Sequence, residues 1–307
     1  MSLRIHHASP LHTLQDWGRF GYQSLGVTTA GPLDLLAFCW LQHILGDPKQ
    51  TAAIEIIRGG FVAEFTQAVS FALTGADCRA DLAGRPCPNW ITQNAKPGDL
   101  LRLNSPSHGQ ITYLSIAGGF DVKRRFGSVA TSRRDQLGGL DGDGSPLKAG
   151  DELPFRNPHQ HLGGVPRRFI PNYQETLTLR FMPCYQAEAF SQEGLHRLLH
   201  EAYQVSHDIS RMGYRLQGPP LPDVPPAGLS EPIAFGSIQV PPDGQPIVLL
   251  RDRQSLGGYP KIGIVMREDI GALCQRRSGD PIRWQAIHRQ ICLDRFLQFR
   301  GYFGVIV

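Results

Sequence analysis

Short apolar runs, each cut off by a glycine or a proline, limit what this chain can fold into. With 34 glycines and 24 prolines in 307 residues, the breaks come too often for a helical bundle. Brief runs between turn residues predict a mainly β architecture of barrels or sandwiches with a few helices. Strands are expected at 60–66, 69–74, 100–103, 111–116, 176–181, 247–250 and 262–266. A first helix is expected at 34–45, with Asp34 as its N-cap and Gly46-Asp47-Pro48 as its stop. A second is expected at about 187–204, where Phe190, Leu195, Leu198, Leu199, Ala202 and Tyr203 recur at helical spacing.

The densest segment is GSIQVPPDGQPIVLLRDRQSLGGYPKIG, at 236–263. Pro241-Pro242-Asp243-Gly244 reads as a tight turn, because proline presets φ and glycine supplies positive φ. Ile247 to Leu250 is a buried-strand run, and it ends in Asp252, Arg253, Gln254 and Ser255 followed by Gly257-Gly258-Tyr259-Pro260-Lys261. A rigid strand that ends in charges and glycines either delivers side chains to a site or closes a hairpin with a solvated loop.

A chain of 307 residues can bury two ordinary cores. Net charge is +4 without a basic block, so nucleic-acid binding is not indicated. No apolar run is long enough to span a bilayer, and the N-terminus lacks the apolar core of a signal peptide. The six cysteines form no C-x-x-C pair, which predicts reduced thiols, a cytoplasmic location and no zinc site.

The chain also echoes itself. Arg19-Phe20-Gly21-Tyr22 corresponds to Arg211-Met212-Gly213-Tyr214, Gly84-Arg85-Pro86 to Gly244-Gln245-Pro246, and Pro97-Gly98-Asp99 to Ser278-Gly279-Asp280. This order predicts a diverged tandem duplication with modules at 1–156 and 172–307, joined by a proline- and histidine-rich linker at 157–171.

Several segments carry a family resemblance. They are LHTLQDWGRFGYQSLGVTTAGPLD at 11–34, Ile54-Glu55-Ile56, TGAD at 74–77, PGD at 97–99, AGGFD at 117–121, GSVATSRRDQLGG at 127–139 and the 236–263 string. Together they resemble the KipA family, also called allophanate-hydrolase-subunit-2-like or the PxpC family of 5-oxoprolinase components, which is related to biotin-dependent carboxyltransferases. The departure is Asp141-Gly142-Asp143-Gly144-Ser145-Pro146, where that family carries a shorter turn. The resemblance implies tandem cyclophilin-like β-barrel modules. It also implies one component of a 5-oxoprolinase complex, which works with a KipI-like protein and a LamB/YcsF-like protein to hydrolyse 5-oxo-L-proline to L-glutamate with ATP. Regulation of a histidine-kinase inhibitor, or amide or carboxyl transfer in urea metabolism, are its other implications.

Three constellations are candidates for chemistry. Asp16 and Arg19, followed by Asp34, either orient a substrate carboxylate through the planar arginine fork or form a structural ion pair beside a helix cap. Glu55, between two isoleucines, is expected on the exposed face of a half-buried strand. Gln239, Asp252, Arg253, Gln254, Gly257, Gly258, Tyr259 and Lys261 make up the third set. On the implied lactam opening, Arg253, Lys261 and the glycine backbone would stabilise an anionic oxygen while Asp252 steers water. Alternation sends Arg251 and Arg253 away from Asp252, which leaves its carboxylate to face a cleft or to pair with Lys261. Arg19 and Arg253 are expected nearest a shared cleft. His196 and His200 sit four apart, but H-R-L-L-H lacks the glutamate of a zinc hydrolase motif, and the glycines at 138–144 lack a phosphate-loop pattern. ATP is therefore expected to bind together with the partner proteins.

Overall fold

The computed structural model describes residues 1–46, 51–155 and 160–304. The described parts form two compact units, one made of Met1–Tyr22 and Thr29–Gln174, the other of Gln23–Thr28 and Glu175–Val307. The stop at Asp47-Pro48, and the start of the expected linker at 157–159, lie outside the described residues. The linker's described part is tied to the first unit, with Thr92 N–H donating to Gly163 O and Val165 N–H to Trp90 O.

The first unit contains β1 (Ser2–His7), β2 (Thr13–Gln15), α1 (Leu35–Ile44), β3 (Ala53–Ile57), β4 (Phe61–Phe65), β5 (Val69–Gly75), β6 (Ala80–Leu82), β7 (Arg85–Cys87), β8 (Thr92–Ala95), β9 (Leu100–Leu103), β10 (Ile111–Ile116) and β11 (Glu152–Pro154). They assemble into a six-stranded sheet, β11-β1-β4-β9-β6-β7, and a five-stranded sheet, β2-β3-β10-β5-β8. Alternation places Leu3, Ile5, Phe61, Ala63 and Phe65 on one inner face, and Leu14, Ile54, Ile56, Phe71, Leu73 and Leu114 on the other, in a single apolar core. Each large side chain buried there contributes roughly 1.5–3 kcal/mol.

Alternation holds in β3, but its outer face is not wet. Thr74 Oγ1 on β5 donates to Ala37 O of α1 at 2.7 Å, and the Tyr113 ring of β10 lies edge-on to Phe38. Glu55 is consequently 0% exposed. This overturns the expectation of a solvated glutamate: the helix roofs that face of the sheet.

The second unit contains β12 (Leu177–Pro183), α2 (Gln192–His200), β13 (Tyr203–Ile209), β14 (Gly213–Gln217), β15 (Glu231–Pro232), β16 (Ser237–Gln239), β17 (Ile247–Leu249), β18 (Leu256–Gly257), β19 (Lys261–Val265), α3 (Arg267–Cys274), β20 (Pro281–Ala286) and α4 (Arg289–Phe303). Seven strands close into a barrel in the order β12-β19-β16-β17-β14-β13-β20. The protein is mainly β, and its closed barrel lies in the second unit while the first is built from two sheets. The second expected helix is shorter than its periodicity, because Ser191 caps α2 and Tyr203 already belongs to β13. Helices α3 and α4 carry no sequence signal strong enough to predict them. Among the described residues no helix is long and apolar enough to cross a membrane.

The glycine–aspartate echo is structural. In Lys96-Pro97-Gly98-Asp99 and Arg277-Ser278-Gly279-Asp280 the aspartate side chain accepts the first residue's N–H, at 2.9 and 2.8 Å. Each aspartate N–H donates back to the first residue's carbonyl, and each glycine N–H reaches a strand, at Phe65 O and Val205 O. Those same two residues return their own N–H groups to the aspartate carbonyls. A third copy, Lys148-Ala149-Gly150-Asp151, makes the same set of bonds with Ile5. The three glycines share φ near +90°, at 85, 91 and 90°. The arginine–glycine–tyrosine echo has no such basis, since Gly21 lies outside any strand with φ 88° and Gly213 begins β14.

Alanine at Gly279, where an added Cβ meets nothing within 4 Å, pays only the left-handed backbone cost. The melt should report a loss of about 1–2 kcal/mol, and an unchanged melt would show that the turn is not needed for the register. A second expectation concerns His12, which is 0% exposed, with Nδ1 accepting Ser9 N–H and Nε2 on Gly59 O. Burial pushes its pKa down from 6.5 to about 4. The unfolded chain therefore takes up this proton first, so the contribution is complete above pH 6.5 and declines as the pH falls towards 4. About 3 kcal/mol is involved, and denaturant titrations across that window should show a steeper slope in the native chain than in His12→Phe, with an equal slope in the two removing His12 from the account.

Candidate functional site

The 236–263 string folds as expected at its start. Gly244 N–H bonds Pro241 O at 2.9 Å, closing the turn between β16 and β17. Beyond β17 the chain turns and pairs β18 with β15, Glu231 opposite Gly257. It then enters β19, where Lys261 lies opposite Gln239 of β16. Close approach explains one glycine: a Cβ at Gly257 would sit 2.6 Å from the Ile233 side chain and 3.0 Å from the Gln239 amide.

Asp252 is 5% exposed, and its carboxylate is claimed by Arg211. Arg211 Nε donates to Oδ2 at 2.9 Å and Nη2 to Oδ1 at 3.1 Å, while Asp252 N–H bonds Arg211 O. This corrects the expected choice between an open cleft and Lys261. The flanking arginines do point elsewhere. Arg251 lies over the Phe235 ring at 4.3 Å, and Arg253 donates to Ile233 O at 3.0 Å and Leu250 O at 3.1 Å. Arg253 is 6% exposed, and burial lowers its pKa from 12.5 to about 10, so it remains a cation at neutral pH, met by carbonyl dipoles.

Lys261 pairs instead with Glu231, Nζ to Oε2 at 2.8 Å. Tyr185 Oη donates to the same carboxylate oxygen, and Gln186 bridges Lys261 N–H and Glu231 Oε1. Hydrogen bonds from Lys261 and Tyr185 hold the Glu231 pKa below the usual carboxylate range. The bond to Glu231, then burial, push the Tyr185 phenol up to about 12. Near neutral pH Glu231 is therefore a carboxylate and Tyr185 a neutral phenol, with the Lys261 side chain 11% and that of Glu231 36% exposed. Gln239 is buried and its amide points at Tyr259 O at 3.4 Å. Gln254 and Gly258 are partly exposed and Tyr259 is exposed.

In the first unit, Asp16 accepts from Ser128 Oγ at 2.5 Å, Val129 N–H and Gly18 N–H, with Arg124 at 3.5 Å. Arg19, 1% exposed, donates to Arg125 O and Ala130 O. Both residues therefore pin the same loop to the 16–19 turn. Within that loop's departure at 141–146, Asp143 accepts from Ser145 N–H and Gly144 N–H bonds Gly138 O. Asp34 is the N-cap of α1 as expected, accepting Ala37 N–H on one oxygen and Tyr173 Oη on the other. Its own N–H meets Tyr113 Oη, which donates to Glu55 at 2.6 Å. Burial, then the Glu55 and Asp34 charges, drive the Tyr113 pKa well above 10.

Arg19 and Arg253 belong to different units. Of the third constellation, the structure groups Gln239, Gly257, Tyr259 and Lys261, and it separates Asp252 into its own pair with Arg211. The residues that sequence reasoning misses are Arg211, Glu231, Tyr185 and Gln186. Arg211 stands out in the sequence only as part of an echo, and nothing around Glu231 marks it.

A family model described as "Carboxyltransferase domain, subdomain A and B" matches residues 25–286. The C subunit of 5-oxoprolinase from Haemophilus influenzae is 36% identical over 282 residues, covering 91% of this chain and 89% of its own. The protein of the same name from Escherichia coli is 35% identical over 286 residues, covering 92% and 90%. In fold, the chain is like the crystal structure of the K. lactis urea amidolyase, with TM-score 0.91 and 22% identity over 98% of this chain and 20% of that one. With the match running through both units, this chain belongs to the family of the carboxyltransferase domain, subdomains A and B.

Proposed function

We propose that this chain is the C subunit of a 5-oxoprolinase, acting with a KipI-like and a LamB/YcsF-like partner protein to hydrolyse 5-oxo-L-proline to L-glutamate with ATP. The observation that carries this reading is identity of 36% across about nine-tenths of both chains to a protein of that name. A lactam is an unactivated amide, so phosphorylation of its carbonyl oxygen by ATP is a physically sensible way to make the ring carbon electrophilic. ATP is bound together with the partner proteins.

In this reading the second unit supplies the groups around the developing anionic oxygen. Lys261, poised by Glu231 and Tyr185, and the Gly258 backbone are the stabilising donors, the Gly257 N–H being taken up by the β15–β18 pairing, and Arg253 adds a rigid positive charge behind them. Gln239 and Tyr259 line the same end of β16 and β19. Glu231, half-exposed where Asp252 is not, is the carboxylate that orients water. Asp252 and Arg211 brace the loop that carries these residues, and Asp16, Arg19 and Asp34 brace the loops of the first unit.

Two outcomes test the reading. The purified chain alone should give no 5-oxoproline-dependent ATP hydrolysis, and activity should appear when the KipI-like and LamB/YcsF-like proteins are added. Turnover by this chain alone, or none from the assembled three, would sink the assignment. Within the assembled enzyme, Lys261→Met should slow turnover at least tenfold, a loss of about 1.4 kcal/mol in the transition state. Asp252→Asn breaks a buried ion pair and should lower stability by about 3–5 kcal/mol, read as a drop in the melt. If Asp252→Asn melts like the native chain while turnover collapses, the two roles have been assigned the wrong way round.

A further inference from the structure

A pocket in the same unit is lined by none of Lys261, Glu231 and Tyr185. It lies between α4 and the α3–β19 corner, holds about 220 Å³, and is lined by Met182, Phe235, Ile270, Phe296 and Phe299. Among the described residues its one carboxylate is Glu268, whose Oε2 is buried and has no hydrogen-bond partner there.

The cations around Glu268 are engaged elsewhere. Arg180 grips Asp269 with both arms of its fork, at 2.9 and 2.5 Å. Arg267 lies over the Phe296 ring at 5.1 Å. Burial raises the pKa of Glu268 and Asp269 adds to the effect, while a hydrogen bond from its own backbone N–H and the charges of Arg180 and of Arg295 on α4 only partly oppose it. A carboxylate oxygen buried without a donor is costly. The ligand that gains most at this position brings an apolar body for the phenylalanine and methionine walls and a charged N–H donor for Oε2, since charge-assisted hydrogen bonds are the strong ones.

We propose that the pocket between α4 and α3 is a binding site for a small primary amine, with its hydrocarbon or aromatic body against Phe235, Phe296 and Phe299 and its ammonium on Glu268. Cys292 lies in the wall of this pocket and Cys184 does not, which gives a positional readout.

The probe is benzylamine, titrated calorimetrically into the full chain, with benzyl alcohol as the uncharged analogue of the same shape. The expected result is saturable binding at one site per chain, at least tenfold weaker for benzyl alcohol and at least tenfold weaker in Glu268→Gln. Bound benzylamine should also slow iodoacetamide alkylation of Cys292, mapped by mass spectrometry, and leave Cys184 unchanged. Equal affinity for amine and alcohol in the native chain would overturn the proposal without any variant, as would absence of saturable binding. Binding that survives Glu268→Gln, or leaves Cys292 unprotected, would also overturn it.

Discussion

A charge taken out of water has to be met by an opposite charge or by aligned dipoles, and this one requirement decides where most of the chemistry-bearing side chains lie. Asp252 meets Arg211, Asp269 meets Arg180, and Lys261 meets Glu231. Backbone carbonyls meet buried cations as well, among them Arg125 O and Ala130 O at Arg19, and Ile233 O and Leu250 O at Arg253. Glu55, sealed under α1, is met by a tyrosine hydroxyl and the Leu33 N–H. Breaking any such arrangement on one side strands the other partner, which makes these residues costly to change whether or not they touch a substrate.

That same requirement separates the residues that hold loops from those able to act. A carboxylate that is buried as well as hydrogen-bonded, as Asp252 and Asp16 are, has no open face left to offer. The Glu231, Lys261 and Tyr185 group is different. Its members are paired with one another, yet Glu231 keeps a face to solvent, and the pairing holds Glu231 ionised and the Tyr185 phenol neutral. Members of the family that keep these three side chains would share this preset. Glu231 and Lys261 are held on β15 and β19, and not on a free loop.

Much of the first unit is legible directly. Strands at 69–74, 100–103 and 111–116 are expected from their apolar runs and occur as Val69–Gly75, Leu100–Leu103 and Ile111–Ile116. Asp34 is legible as a cap because a cap is a local bond, three residues long. Glu55 is not legible: alternation says which face a side chain takes, never what covers that face. The glycine–aspartate turn shows twice in the sequence, while Lys148-Ala149-Gly150-Asp151 passes unnoticed there. A four-residue pattern acquires meaning only once its bonds to Ile5, Phe65 and Val205 are visible.

What the sequence by itself determined is everything that rests on neighbours along the chain: mainly β character, the turn at Gly244, the α1 cap, and the end of β17 as a place where charges gather. Its family-like segments also pointed to the right relatives. Tertiary structure alone decided the partners. Arg211 and Asp252 are forty-one residues apart, Lys261 and Glu231 thirty, and no local propensity encodes a contact at such separations. Pairing across a barrel is fixed by strand order and register, and those follow from burying all the apolar faces at once, which is a property of the whole chain and not of any segment in it.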